Sequence, residues 1–416
     1  MPVSSKPVRG TRDFLPQEVR LRGYLHSVIL STYLQAGFER IYTPMLESSE
    51  RLAKSDGGEN LNMIFKILKR GNKLDLEKPD LTEDDLCDMG LRYDLTLPLV
   101  RYYANNRNEL HDPFKCIQVD RVFRAERPQR GRLREFYQCD IDIIGDAGCN
   151  AEVELIHTTT TALRRVGFDD FIVRINDRRI LHDIIVSCGF SEEDVPSVCI
   201  TFDKLDKVGL EGVESELVDK GYDAGTIARF MAVVSDDTLD SVEKARSFVE
   251  DTAVADDLLY VIDKVTELAG GAYRICYDKS LVRGMGYYTG MVFEIVTPRF
   301  SSSIAGGGRY DNMAGKFLKE SVPAVGFSIG FERIVQILLE SGFEVPDPPH
   351  RRALIYPADA DFAAVVRKAD EMRSAGCQVA IYAQAKKLGK QLYRLEEDGF
   401  DDAYLFESDE VRAFSG

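Results

Sequence analysis

Five arginines (Arg121, Arg124, Arg127, Arg130 and Arg132) crowd one short stretch of a chain whose formal net charge is −16. A guanidinium fork grips phosphate oxygens bidentately and stays charged at any working pH, so this density suits a phosphate grip. Arg124 alternates with large apolar residues, which points its side chain into a cleft instead of bulk water. The plainer reading of a basic loop is a solvated hairpin face.

Three other runs have the composition of a ligand site. In Arg283-Gly284-Met285-Gly286-Tyr287-Tyr288-Thr289-Gly290, glycines allow a close backbone bend and adjacent tyrosines place phenols on opposite faces of a strand. Ala305-Gly306-Gly307-Gly308-Arg309-Tyr310-Asp311 lets a ligand approach the backbone. It matches neither the dinucleotide fingerprint nor the P-loop, because the Gly-Lys pairs at Gly315-Lys316 and Gly389-Lys390 lack a following Ser or Thr. Ala324 to Arg333 reads as an apolar strand entering a helix with an arginine in its first turn, an arrangement suited to a phosphate or a purine face. Taken singly, these runs also read as a turn with core tyrosines, a flexible glycine turn, and a strand–helix junction with a surface arginine.

The elements that must hold these residues are legible in the periodicity. Leu15 to Phe38 has helical spacing (Val19, Leu25, Ile29, Tyr33) and a stop at Gly37. Arg40 to Leu46 reads as a short strand broken by Pro44, suited to an edge or an interface. A hairpin is expected around Gly71-Asn72. Lys115 to Arg124 and Glu135 to Ile144 form an antiparallel pair around the basic loop, followed by a helix from Ala151 to Val166. Acidic helices run from Asn176 to Gly270. Strands resume at Ala272 to Tyr277 and Gly290 to Val296, and Glu344 to His350 is a proline-rich linker. Beyond it, Ala353 to Tyr356, Val379 to Tyr382 and Ala403 to Phe406 alternate with helical patterns, the mark of a small α/β domain with parallel crossovers.

Composition narrows the class. With 416 residues, 44% of them hydrophobic and 29% charged, the chain is long enough for two or three cored domains. No apolar run reaches membrane-spanning length, and the N-terminus has neither a secretory nor a transit pattern. Eight cysteines without a CxxC pair and five scattered histidines point away from a zinc site and toward reduced thiols in the cytoplasm. The acidic balance argues against a general nucleic-acid binder, but not against a local basic patch.

In order and spacing, the segments resemble a class II aminoacyl-tRNA synthetase of the histidyl-tRNA synthetase family. Gly37 to Leu46 resembles motif 1, Phe123 to Asp142 motif 2, and Gly326 to Arg333 motif 3. Leu281 to Glu294 and Ala305 to Asp311 resemble the two histidine-specific motifs, and Arg9 to Phe14 resembles the family's N-terminus. The resemblance covers nearly the whole chain. It implies an α/β protein with an α+β catalytic core on a mixed, largely antiparallel sheet. The core is expected in two parts, residues 1–175 and 271–343, around a helical insertion at 176–270. A linker at 344–350 and an α/β anticodon-binding domain at 351–416 would follow, the last shorter than the family's usual domain.

The same resemblance implies ATP-dependent activation of L-histidine and its transfer to tRNA(His), by a homodimer, with Mg²⁺ accompanying ATP. Asp94, Thr96, Gln138 and Asp142 would hold the histidine, with Tyr287, Tyr288 and Tyr310 around its ring. Arg124 and Arg283 would be catalytic at the carboxylate and α-phosphate, with no protein-bound metal. Glu126, Arg132 and Arg333, together with Arg124, would hold ATP. Where the family has an acidic residue, this chain has Gly286. The rival reading is a catalytically silent synthetase-like paralogue that acts as a histidine-sensing regulatory subunit. Such paralogues generally lose the arginines and the anticodon domain that this chain keeps.

Overall fold

A computed structural model describes residues 4–53, 62–127, 132–235, 241–282, 287–346 and 348–414, apart from the side chain at 206. Arg283 and Gly286, and the tip of the basic loop at 128–131, lie outside the described residues. Two compact units divide the chain, Met1–Phe343 and Glu344–Gly416.

The first unit begins with the helix Pro16–Gln35. Pro16 occupies its first turn, where a missing amide hydrogen is harmless, and Gly37 ends it at a φ of +84°. Leu25, Ile29 and Tyr33 are buried as their spacing predicts. Val19 is instead 51% exposed, at the mouth of a cleft that Phe14, Arg22 and Tyr137 also line.

Eleven strands follow in this unit: β1 (Glu39–Arg40), β2 (Leu46–Ser48), β3 (Lys66–Leu68), β4 (Cys87–Leu91), β5 (Phe114–Phe123), β6 (Glu135–Ile144), β7 (Ile172–Asp177), β8 (Arg274–Tyr277), β9 (Met291–Val296), β10 (Ala305–Arg309) and β11 (Ala324–Ile329). Eight of them form one sheet in the order β1-β5-β6-β11-β10-β9-β7-β8. Its five central pairings, from β5 to β7, are antiparallel, and the outermost pairs, β1 with β5 and β7 with β8, are parallel. Burial on both faces accounts for the largely apolar character of β11, whereas β6, also buried toward its end, carries Gln138, Asp140 and Asp142 at alternate positions. The helices Pro16–Gln35 and Asn150–Arg165 pack on each other.

Two expectations change here, and one strand is added. Arg40 to Leu46 is not one strand: β1 pairs with β5, whereas β2 belongs to a separate sheet of order β2-β4-β3. Pro44, which has no amide hydrogen to give a ladder, lies where the chain passes from one sheet to the other. Gly71–Lys73 is a short 3-10 helix, not a hairpin turn. The residues after it are too polar for a returning strand, and β3 finds its partner only at β4, beyond the helix Glu83–Leu86. Finally, β7 carried no expectation, yet it joins β8 to the rest of the sheet.

Between β7 and β8 the chain is helical, from Arg178–Ser187 to Thr252–Ala269. Phe190, Phe202 and Phe230 meet edge to face in its core, with Phe202 and Phe230 5.5 Å apart. In the second unit, β12 (Arg351–Tyr356), β13 (Gln378–Ala383), β14 (Asp402–Leu405) and β15 (Glu410–Ala413) form a sheet of order β13-β12-β14-β15. The first three are parallel and are joined through the helices Phe362–Ser374 and Leu388–Glu397. The fourth strand, absent from the sequence reading, pairs antiparallel with β14 and is exposed along its whole length. With four residues, Glu410–Ala413, its alternation is too short to stand out in the sequence.

Candidate active site

The floor of the site is made by β6, β11 and β10. Alternation along β6 turns Gln138, Asp140 and Asp142 to one face of the sheet. Opposite them on β11, Ser328 pairs with Asp140 and Gly326 with Asp142; on β10, Gly306 and Gly308 continue the same two rows. The glycine run is thus a fully buried strand, not the flexible turn of its plainer reading. Neighbouring strands dictate its composition. A Cβ at Gly307 would lie 2.0 Å from the carbonyl oxygen of Gly326, and one at Gly308 would lie 2.7 Å from that of Met291. A Cβ at Gly326 would lie 2.0 Å from Oδ1 of Asp142, so this glycine makes the space that the carboxylate fills.

Above this floor is an inner chamber of about 130 Å³, walled by Asp94, Thr96, Tyr287, Tyr288 and Tyr310. The Tyr287 ring lies 4.8 Å from that of Tyr288 and meets Tyr310 edge to face at 6.1 Å. Tyr310 donates a 2.6 Å hydrogen bond to Asp142, and the Leu97 amide donates to Asp94 at 3.1 Å. Burial pushes the Asp142 carboxyl up to about 7, with the charge on Asp94 adding to the rise and the Tyr310 hydroxyl opposing it. Burial also raises Asp94 and Asp140, the latter further through its neighbour Asp142. The phenols of Tyr287 and Tyr310 are raised too, so both remain neutral donors.

An outer chamber of about 300 Å³ adjoins it, lined by Arg124, Glu126, Arg132, Phe136 and Arg333 among others. Arg124, Gln138, Gly306 and Ser328 line both chambers and form their common wall. The Arg124 guanidinium stacks 4.3 Å from the Tyr93 ring centre and 5.1 Å from that of Phe136, and its Nε donates to the Tyr93 carbonyl at 3.2 Å. Aromatic faces and one backbone bond hold it, which leaves its terminal nitrogens for an anion. Arg333 donates to the Ser303 carbonyl. Beside it, Glu332 receives both terminal nitrogens of Arg22 at 2.7 Å, and Arg22 also lies 4.1 Å over Phe14. That pair ties the first helix, and the segment resembling the family's N-terminus, to the helix Phe331–Glu340.

Every described residue expected at the site lines at least one of these two chambers: Asp94, Thr96, Asp142, Tyr287, Tyr288 and Tyr310 the inner, Glu126, Arg132 and Arg333 the outer, and Arg124 and Gln138 both. Arg283 lies outside the described residues. Asp140 and Ser328 line the inner chamber without having been expected there. The signal for Asp140 was available, since a strand that aims Gln138 and Asp142 at a ligand must aim the residue between them the same way. Among the described residues, no group of three or more His, Cys, Asp or Glu is placed to hold a metal ion, and no helix is long and apolar enough to cross a membrane. All eight cysteines are free.

A mixed, largely antiparallel sheet carrying an arginine-rich cleft on one face is the catalytic architecture of a class II aminoacyl-tRNA synthetase. The sequence model of the histidyl-tRNA synthetase family matches residues 10–334. A histidine–tRNA ligase of Leifsonia xyli is 40% identical over 97% of this chain and 95% of its own length. One from Flavobacterium johnsoniae is 32% identical over 99% of this chain and 95% of its own. In three dimensions, the crystal structure of histidyl-tRNA synthetase from Nostoc sp. PCC 7120 superposes with a TM-score of 0.79 at 27% identity, covering 100% of this chain and 97% of that one. A Bacillus halodurans structure described as an ATP phosphoribosyltransferase regulatory subunit/histidyl-tRNA synthetase shares the fold, with a TM-score of 0.77 at 20% identity, over 97% of this chain and 99% of that one. The chain belongs to the histidyl-tRNA synthetase family.

Proposed function

We propose that this protein is a histidine–tRNA ligase: it activates L-histidine with ATP to histidyl-adenylate and passes the histidyl group to tRNA(His). The observation that carries the reading is the wall common to the two chambers, with Arg124 in it. The inner chamber has carboxylates for an ammonium group and phenols around a small planar ring. The outer one has arginines for a triphosphate and a helix start beside Arg333 for the base or the terminal phosphate. Their junction is where an amino-acid carboxylate must meet an α-phosphate.

In the first half-reaction a carboxylate oxygen of histidine attacks the α-phosphorus in line, and the bond to the bridging oxygen of pyrophosphate breaks. Charge grows on the phosphoryl oxygens beside Arg124, and a cation fixed in advance stabilises that charge without reorganising. The family resemblance gives Arg283 a part in stabilising the same charge on the α-phosphate. In the second half-reaction a hydroxyl of the terminal adenosine of the tRNA attacks the acyl carbon, and AMP leaves.

Glu126 and Glu332, the acidic residues of the outer chamber, are paired with Arg132 and Arg22. Mg²⁺ accordingly enters as part of the ATP substrate, on its outer phosphates. The unit Glu344–Gly416 is assigned to the anticodon arm, and the insertion between β7 and β8 is read as a separate domain of the core. Exposed Tyr42, Met45 and Leu46, in and beside the motif 1-like segment, support a homodimer. Free thiols suit a cytoplasmic enzyme.

A histidine-sensing paralogue would need the inner chamber alone. The retained arginines of the outer one favour the enzyme. Exchange of labelled pyrophosphate into ATP, measured with each amino acid in turn, is expected only with histidine. A folded sample without histidine-dependent exchange rejects the ligase in favour of the sensor.

A further inference from the structure

Along β6, three buried oxygens face the inner chamber with no hydrogen-bond partner: Oε1 of Gln138, Oδ1 of Asp140 and Oδ2 of Asp142. Asp140 is 5% exposed. Ser328 engages the Asp140 carboxylate but leaves its Oδ1 without a partner, and other nearby donors are committed elsewhere. The Tyr310 hydroxyl donates to Oδ1 of Asp142, the Gln138 amide nitrogen to Ser328, the Leu97 amide to Asp94, and Nε of Arg124 to the Tyr93 carbonyl. Buried acceptors in native proteins almost always have donors, so a row of three in one cavity calls for a ligand rich in N–H groups. An amino acid with an imidazole ring supplies three on its ammonium and one or two on the ring.

We propose that Asp140 is a substrate-binding residue of the inner chamber that accepts the α-ammonium group of the amino acid on its free oxygen. Its place on the strand favours the ammonium over the ring. Asp142, two residues further on, is bound to Tyr310 at the end where phenols surround the ring. Gln138 and Arg124, on the other side, lie in the wall toward the outer chamber, where the amino-acid carboxylate must reach. The α-amine is attached between carboxylate and ring, and Asp140 stands between their two sets of contacts. Asp94 approaches the same region from above the sheet. The ammonium would then sit between two carboxylates, an arrangement that separates an amino acid from an otherwise identical acid lacking the amine.

This inference rests on the ligase reading, and a ligand series separates the two. The full-length protein and Asp140→Asn are titrated calorimetrically with L-histidine, with histidinol (amine and ring, no carboxylate) and with imidazole-propionic acid (carboxylate and ring, no amine). Removing a charge-assisted bond is expected to weaken histidine and histidinol by about tenfold or more while leaving imidazole-propionic acid within about twofold. Equal losses for all three ligands, or no loss for any, overturn the assignment. Asp140→Ser gives the same comparison if the Asn variant does not fold. A wild-type protein that binds none of the three overturns the ligase reading, and this inference with it.

Discussion

The hydroxyl of Tyr310 and the carboxylate of Asp142 lie 2.6 Å apart, both buried, on either side of Gly326, whose missing side chain leaves room for their contact. With its carboxyl raised to about 7, Asp142 holds a proton in the folded, ligand-free protein at pH values where an unfolded chain has released it. Its contribution to stability is complete below the ordinary carboxylate range and is lost as pH rises through about 7. Asp142→Asn is therefore expected to flatten the loss of apoprotein stability between roughly pH 4 and 7, read from denaturant midpoints. Asp94 and Asp140 would keep part of the slope. Superimposable profiles for the two proteins would contradict the assignment.

Arg124 is the expected cationic residue that lines both chambers, and its loss should be felt mainly in chemistry. Arg124→Ala is expected to lower kcat for pyrophosphate exchange about 10²- to 10³-fold with the thermal midpoint little changed. Arg124→Lys should recover only part of that, because a single ammonium cannot reproduce the planar fork stacked between Tyr93 and Phe136. A full rate in the alanine variant would remove Arg124 from the reaction.

Two neighbouring glycines should fail in different ways. At Gly307 an added methyl meets backbone, so Gly307→Ala is expected to destabilise the sheet by about 1–3 kcal/mol or more. At Gly326 the methyl meets the Asp142 carboxylate and, at 3.3 Å, the Tyr310 ring. Gly326→Ala should raise KM for histidine more than it lowers stability. Denaturation curves together with KM values for both substrates test the contrast, which is refuted if the two variants behave alike.

Tyr42 is 64% and Leu46 50% exposed, an unusual outlay of apolar surface beside β1 and β2. If this surface is a subunit interface, Leu46→Asp and Tyr42→Asp should convert a dimer to a monomer in light scattering. A wild-type monomer at micromolar concentration would reject the interface.

The hairpin of β5 and β6 was legible because its alternation and its loop lie within one continuous stretch. Leu25, Ile29 and Tyr33 were legible for the same local reason. What stayed hidden was set by distant neighbours. Three glycines in β10 have no side chains to display a period, and the Gly326 and Met291 carbonyls and the Tyr288 ring explain why that strand must be bare at Gly307 and Gly308. The exposed β15 was too short for its alternation to stand out, and the split between β1 and β2 depended on which sheet each would join. Most site residues came from the resemblance; Asp140 was readable from the alternation of β6, whereas Ser328 and the space opposite Asp142 at Gly326 required the register between β6 and β11.

The wall common to the two chambers has a kinetic consequence. Histidine and ATP arrive as separate molecules, but the adenylate occupies both chambers as one. Once either half is seated, the other is confined at a high effective concentration, so the intermediate binds far more tightly than either precursor. Its release slows correspondingly. A mixed anhydride that water would destroy is thereby retained until the RNA arrives to consume it, and an uncleavable mimic spanning Arg124 would inherit the same long residence.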